Sequence, residues 1–394
     1  MATSATNAVA APVALVMGDI DLVRALGLAG IPVAFFGLPD ASARFSRHVR
    51  VVLPWIDHWR NQDELVAALM AFGRAQREAP VLFPQTDAAL LLASRHREEL
   101  GTAFRLMLAD AELIEDLVDK GRFQTLACRD DLPVPRSERL CPHPGQPPPA
   151  LGLSFPLIVK PVVRGIAWGS LGAGGKAMHV GGPQDWAEIW PRLADARSEV
   201  VVQELVAGPE SAVESYHSYI DESGAIAGEF TGRKIRTSPP RYGYSTAVEV
   251  TELPDVAQLG RKVLDRIGMR GVAKVDFKRD ERGRLHLLEI NPRFNLWHHP
   301  AAIAGVNLPA LVHADLTGRL RPPGRRATRR VAWCMPLWDA RTAYAAGVSP
   351  LKWLRWARGC EAMSGLSRDD PLPFIRGSLA SAVRRRLPRR GAPA

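Results

Sequence analysis

Four short apolar runs, separated by turns or helical patterns, limit this chain more than any other feature. They read PVALVM (12–17), IPVAFFG (31–37), HVRVVLP (48–54) and PVLFPQTD (80–87). DLVRALGLAG (21–30) between the first two reads as a helix ending at Gly30. QDELVAALMAFGRAQRE (62–78) is amphipathic, and AALLLASRHREEL (88–100) follows the fourth run. Strands alternating with helices predict an open parallel sheet, because parallel neighbours need a crossover connection. The turn after the first strand is MGDIDLV (17–23) and lacks GxGxxG, which argues against NAD.

The pattern then changes. A helix is expected from 116, followed by DLPVPRS and the proline-rich spacer CPHPGQPPPALGL (141–153). FPLIVKPV (155–162) is a strand, VRGIAWGSLGAGG (163–175) a glycine-rich loop, DWAEIWPRLADAR (185–197) a helix and EVVVQELV (199–206) a strand. Hairpins and helices continue to residue 291, an α+β arrangement. A chain of 394 residues is too long for one ordinary core. We expect an α/β domain over 1–115, an α+β domain over 116–320 with a flexible lobe at about 150–206, and a basic linker and tail over 321–394.

Composition narrows the function classes. No run approaches the roughly 18 apolar residues of a membrane span, and no basic residue precedes Arg24, so a signal peptide is not expected. The four cysteines (128, 141, 334, 360) form no CxxC pair and suit reduced thiols in a cytoplasm. The net charge of +10 is local: residues 319–330 and 376–394 hold six arginines each and no acid. Without these twelve, the basic residues fall from 51 to 39 against 41 acidic ones. That argues against nucleic-acid binding. The segments read either as solvated linker and tail or as contact with a polyanion. PLKWLRWARG (350–359) and FIRGSLASAVRRRLPRR (374–390) mix aromatic or aliphatic residues with arginine, so the C-terminus also suits the surface of an anionic membrane.

VAKVDFK (272–278) and LHLLEIN (285–291) flank the turn RDERGR, which makes a β-hairpin. With a two-residue loop at Arg282-Gly283, Asp276 and Glu289 face each other with Cβ atoms roughly 5 Å apart. Asn291 lies on the same face. Facing like charges destabilise a sheet unless a cation sits between them. Three oxygen donors suit Mg²⁺ (or Mn²⁺), which leaves coordination positions for phosphate oxygens. A solvent-facing charged hairpin is the alternative. Pro292 stops the strand, and Arg293 beyond it can clamp a phosphoryl group or a carboxylate. Lys160 ends its strand just before the glycine-rich loop, whose N–H groups could cradle phosphates. Ser170 and Ala177 exclude a P-loop at Lys176. The strand end QELVAGPE (203–210) could read an adenine edge, with Glu210 on ribose hydroxyls.

In this order, DKGRFQTLA (119–127), PLIVKP (156–161), QELVAGPE (203–210), VDFK (275–278) and LEINPR (288–293) resemble the ATP-grasp superfamily. VLFPQTDAALLLASRHREEL, followed by DLVDKGRF and LPVPRS, is similar to its carboxylate–amine ligase branch, which includes D-aspartate ligase and carbamoyl-phosphate-synthase-like proteins. DDPLP (369–373) is a further, short match. The resemblance implies two α+β lobes sandwiching ATP. Lys120 and Lys160 would bind phosphates; Gln203, Glu204 and Val206 would line the adenine; Glu210 would hold the ribose. Asp276, Glu289 and Asn291 would hold Mg²⁺, and Arg293 would stabilise phosphoryl transfer. Arg233, Lys234 and Arg236 could contact phosphate or an acidic substrate, or form a solvated strand face. Trp297 and His298 lie near the expected acceptor pocket, where packing at a helix start is the favoured reading. The implied reaction activates a small-molecule carboxylate as an acyl phosphate and joins it to an amine. A carbamoyl-phosphate-synthase-like kinase of a small carboxylate and a non-catalytic ATP-binding scaffold are the alternatives. The sequence leaves the oligomeric state open.

Overall fold

The apolar runs become strands because their side chains have no solvent face. In the computed structural model, which describes residues 11–57, 60–162, 168, 177–240 and 243–379, every residue of β1 (Ala14–Met17) is buried. Helix α1 (Ile20–Leu28) follows, capped by the Asp19 carboxylate, which accepts from the Asp21 and Leu22 amides. Its end is fixed by Gly30, whose φ of +70° favours glycine. Then come β2 (Val33–Phe36), β3 (Val49–Val52), α2 (Gln62–Arg74), β4 (Val81–Pro84), α3 (Asp87–Arg95) and α4 (Arg97–Gly101). The four strands form a parallel sheet in the order β3-β2-β1-β4. β3 is one of the two edge strands and is mostly exposed.

Helices α5 (Ala111–Val118) and α6 (Lys120–Arg129) lead into a small antiparallel lobe. Its strands β5 (Ser137–Leu140), β6 (Leu157–Pro161), β7 (Met178–Val180) and β8 (Val200–Glu204) lie in the order β5-β8-β6-β7. Helix α7 (Pro183–Asp195) covers the sheet, packing Trp186 and Trp190 against Leu157, Val159 and Val202. The lobe's first strand begins at Ser137, before the position expected from sequence, and most of the glycine-rich loop lies outside the described residues.

The remaining strands are β9 (Val213–Ile220), β10 (Ile226–Ser238), β11 (Tyr244–Val250), β12 (Gly271–Arg279), β13 (Leu285–Asn291), β14 (Val331–Cys334) and β15 (Ala362–Met363). They build one seven-stranded sheet in the order β13-β12-β9-β10-β11-β14-β15. Helix α8 (Pro254–Arg266) covers one face together with α5 and α6. The other face buries α9 (His298–Ile303) and α10 (Leu308–Leu316) in a core that also contains Val16, Leu22 and Phe35 of the N-terminal sheet. The N-terminal unit and the large sheet therefore share one apolar core, which fixes the ends of β1 and β4 beside β13.

Residues 331–379, expected as linker and tail, are built into the fold. They supply β14, α11 (Pro336–Ala345), α12 (Pro350–Ala357) and β15. Four arginines of the run before them pair with acids within the molecule. Arg321 pairs with Asp315 and Asp221, Arg326 with Glu229, Arg329 with Glu361 and Arg330 with Glu249. The DDPLP motif is a docking device: buried Asp370 accepts from Ser46 Oγ and the Arg47 amide, while Arg24 donates to the Met363, Gly365 and Asp370 carbonyls. Residues 380–394, the strongly basic tail, lie outside the described residues. Among the described residues no helix is long and apolar enough to cross a membrane.

Candidate active site

Asp276 and Glu289 are register partners across β12 and β13, and Lys274 pairs with Asn291 two positions along. The expected pairing stands, but its geometric basis was different. The loop is three residues long, closed by the Asp280 amide on the Arg284 carbonyl, with Gly283 at φ +80°. That shifts the register by one, so Phe277 pairs with Leu287. A bulge between Asp276 and Phe277 then shifts it back. Two one-residue displacements cancel, and both carboxylates reach the same face.

Lysines divide the two like charges. Asp276 is 1% exposed; its carboxylate accepts from Ser215 Oγ on β9 and pairs with the Lys274 ammonium. Glu289 is exposed, accepts from Asn291 Nδ2 at 3.1 Å and lies within the electrostatic reach of Lys160. Lys160, on β6 of the small lobe, donates to Gln203 Oε1 at 2.9 Å. Burial pushes its pKa down, and the Glu289 charge opposes that shift. Lys120, at the start of α6, donates to the Pro161 carbonyl at 2.8 Å, next to Lys160. Residues far apart in sequence thus line the space between the two lobes with two carboxylates, an amide and three ammonium groups.

Arg293 carries this set to the N-terminal sheet. It pairs with Asp87, donates to the Gln85 carbonyl at 3.1 Å and reaches Asn291 Oδ1 at 3.3 Å. Gln85 in turn accepts from the Asp19 amide at 2.7 Å. Gly18 permits this contact, because a Cβ there would lie 2.6 Å from the Gln85 Cβ. The Asp19 carboxyl is pushed up to about 6, by burial first and by Asp21 second. These groups sit at the carboxyl ends of β1 and β4, the end of a parallel sheet where ligands bind.

The other predicted residues make the following contacts. Glu204, at the end of β8, accepts from the Ser154 amide at 2.9 Å and pairs with Arg136. Val206 is buried, and Glu210 opens the turn Glu210–Ala212. Arg233 pairs with Glu249. Arg236 makes two bonds to Asp339, whose buried carboxylate also accepts from Thr246 and Trp353. Lys234 faces Val248 across β10 and β11. Trp297 fills the space over Gly232, and His298 is fully buried at the start of α9, as the packing reading held.

Four contributors escaped the sequence reading. Strand alternation alone would have placed Lys274 on the Asp276 face. Ser215, Gln85 and Asp87 reach the site only through strand order and interdomain packing, for which one sequence carries no local signal.

The chain is similar to ATP-grasp proteins in part of its sequence, and its fold is similar to those of solved ligases and synthetases. Residues 197–335 match a family model described as ATP-grasp in the biosynthetic pathway with Ter operon. A D-aspartate ligase of Enterococcus faecium is 27% identical over 242 residues, covering 58% of this chain and 56% of that protein. A D-alanine–D-alanine ligase of Pseudomonas entomophila is 26% identical over 227 residues, 55% of this chain and 68% of that one. The chain therefore spans little more than half the length of the D-aspartate ligase it matches. Among solved structures, an L-amino acid ligase from Bacillus licheniformis superposes with a TM-score of 0.59 at 16% identity, covering 82% of this chain and 79% of that one. An N5-carboxyaminoimidazole ribonucleotide synthetase in its ADP complex gives 0.61 at 12% identity, covering 82% and 80%.

Proposed function

We propose that this chain is an ADP-forming carboxylate–amine ligase that makes an amide through an acyl phosphate. The carrying observation is the convergence of Asp276, Glu289 and Asn291 on one face, with Lys160 of the other lobe in electrostatic reach. Lys120 and Lys160 would hold the nucleotide phosphates. Gln203, Glu204 and Val206 would line the base, and Glu210 the ribose.

The all-oxygen set fits Mg²⁺ (or Mn²⁺). Among the described residues no group of three or more His, Cys, Asp or Glu could hold a metal by itself. Two carboxylates and an amide leave coordination positions for phosphate oxygens. When bound there, the ion would neutralise charge on the phosphoryl oxygens. Arg293 and Lys274 place further cations where negative charge grows during transfer. The small lobe would keep water from the activated carboxylate. No side-chain nucleophile is required, because the substrate carboxylate attacks the γ-phosphorus and ADP leaves; the amine then attacks the acyl carbon and phosphate leaves.

The relatives join amino acids by their printed names, which supports an amino acid, free or within an envelope-polymer precursor, as substrate. The test is ADP release across pairs of carboxylates and amines, with hydroxylamine added as a trap. One carboxylate should yield ADP and its hydroxamate without the natural amine. ATP binding without hydroxamate from any carboxylate would favour a scaffold. In the same assay Lys160→Met should raise the KM for ATP by roughly 10- to 100-fold, the worth of one charged hydrogen bond.

A further inference from the structure

We propose that the α11–α12 hairpin docks the protein on an anionic lipid surface, independently of the ligase reading. Between Pro336 and Cys360 the sequence holds four bases (Arg341, Lys352, Arg355 and Arg358) and one acid, Asp339. Asp339 is fully buried and committed to Arg236, Thr246 and Trp353. All four bases are exposed and none has an ion-pair partner among the described residues, so the hairpin presents positive charge.

Three large apolar or aromatic side chains stand among these bases. Leu351 is 81% exposed, Tyr344 72% and Leu354 39%. Single exposed leucines are ordinary. Here Leu351, Leu354, Arg355 and Arg358 follow an i, i+3, i+4, i+7 spacing, which puts them along one side of α12. Tyr344 lies in the last turn of α11, across the short connection from Leu351. The opposite side of α12 holds the helix in place. Trp353 Nε1 donates to Asp339 at 2.8 Å, Trp356 lies 4.0 Å beneath the Arg236 guanidinium, and Ala357 is buried. The outward leucines take no part in that anchoring.

A leucine exposed to this degree protrudes and forms no groove for a peptide. Apolar tips ringed by bases suit a headgroup layer, where the bases meet lipid phosphates and carboxylates and the leucines enter the acyl boundary. Each base near an anionic surface strengthens binding about fivefold.

The experiment sediments the full chain with vesicles of phosphatidylcholine alone and of phosphatidylcholine with phosphatidylserine. Binding should require phosphatidylserine and weaken with salt. Leu351→Ser/Leu354→Ser and Arg355→Glu/Arg358→Glu should each lose at least about tenfold. Both should melt like the parent, since neither pair anchors the helix. A full-length control, Arg384→Glu/Arg385→Glu/Arg386→Glu, should keep the preference for phosphatidylserine. Equal binding to both vesicles would overturn the proposal. So would parent-like binding by the two helix variants when the control has lost it. A parent that ignores vesicles but forms a dimer, which Leu351→Ser/Leu354→Ser dissociates, would assign the face to a second copy instead.

Discussion

Replacing Glu289 by Gln is expected to cut ATP-dependent product formation by about a thousandfold while leaving the melting temperature unchanged or higher. The two effects separate because of where Glu289 stands. It is exposed and faces Asp276 across the hairpin, so losing its charge relieves a like-charge pair. The amide keeps an oxygen for Asn291 Nδ2, so the local bond survives. What disappears is one of two carboxylates proposed to hold the cation that offsets the triphosphate charge. Asp276→Asn is a poorer test. Its carboxylate is buried and carries Lys274 and Ser215, so removing its charge strands a half-buried ammonium and mixes stability with catalysis. ADP release with the identified substrate pair, beside a thermal melt, measures both quantities. A Glu289→Gln protein that turns over like the parent would end the ligase reading.

The site was legible where its logic is local. Strand alternation put Glu289 and Asn291 on one face, and Pro292 ended the strand. The buried β1, β2 and β4 appeared as continuous apolar runs because parallel strands have no solvent side. Gly30 marked the end of α1 because the backbone there is left-handed.

The hairpin shows where such reasoning works by accident. The loop is one residue longer than expected, and a bulge restores the pairing that a two-residue loop would have given. A bulge depends on the neighbouring strand, which a sequence window does not contain. The same limit hid the fate of the arginines. Arg236 and Asp339 meet across 103 positions, and Arg326 finds Glu229 across 97. Composition reported a basic segment, whereas folding brings counter-charges to it from other parts of the chain, Glu229 and Glu249 upstream and Glu361 downstream. Residues 331–334 read as linker for a related reason: a four-residue strand is too short to show a period, and it exists because β11 offers an edge.

Acid should weaken the fold well above the range where carboxylates protonate. Burial pushes the His298 imidazole down to about 3. Burial, then the Lys274 charge, then His298 push His217 down as well. The rings pack in one core: His217 stacks on Phe230 at 4.3 Å and lies 5.1 Å from Trp297, and His298 lies edge-on to Phe294 at 5.5 Å. Neither ring has a hydrogen-bond partner for either nitrogen among the described residues. In the unfolded chain a histidine takes up its proton near 6.5. Below that pH the unfolded state binds protons that the folded state refuses, so stability falls by about 1.4 kcal/mol per unit and per ring. At pH 5 His298 alone should cost about 2 kcal/mol. Asp19 acts in the opposite direction. Raised to about 6, it holds a proton that the unfolded chain releases until about 3.9, which returns about 1.4 kcal/mol at pH 5. Because His217 adds to the loss, the balance stays unfavourable. Salt-bridged carboxylates such as Asp221, held down to about 2, contribute only below the ordinary carboxylate range. Denaturant melts at pH 7 and pH 5 measure the sum, and His298→Leu isolates its share. That variant should be at least as stable as the parent at pH 7, since two unpartnered nitrogens leave the core, and should lose about 2 kcal/mol less on going to pH 5. An unchanged pH slope would mean that His298 meets its proton while still buried.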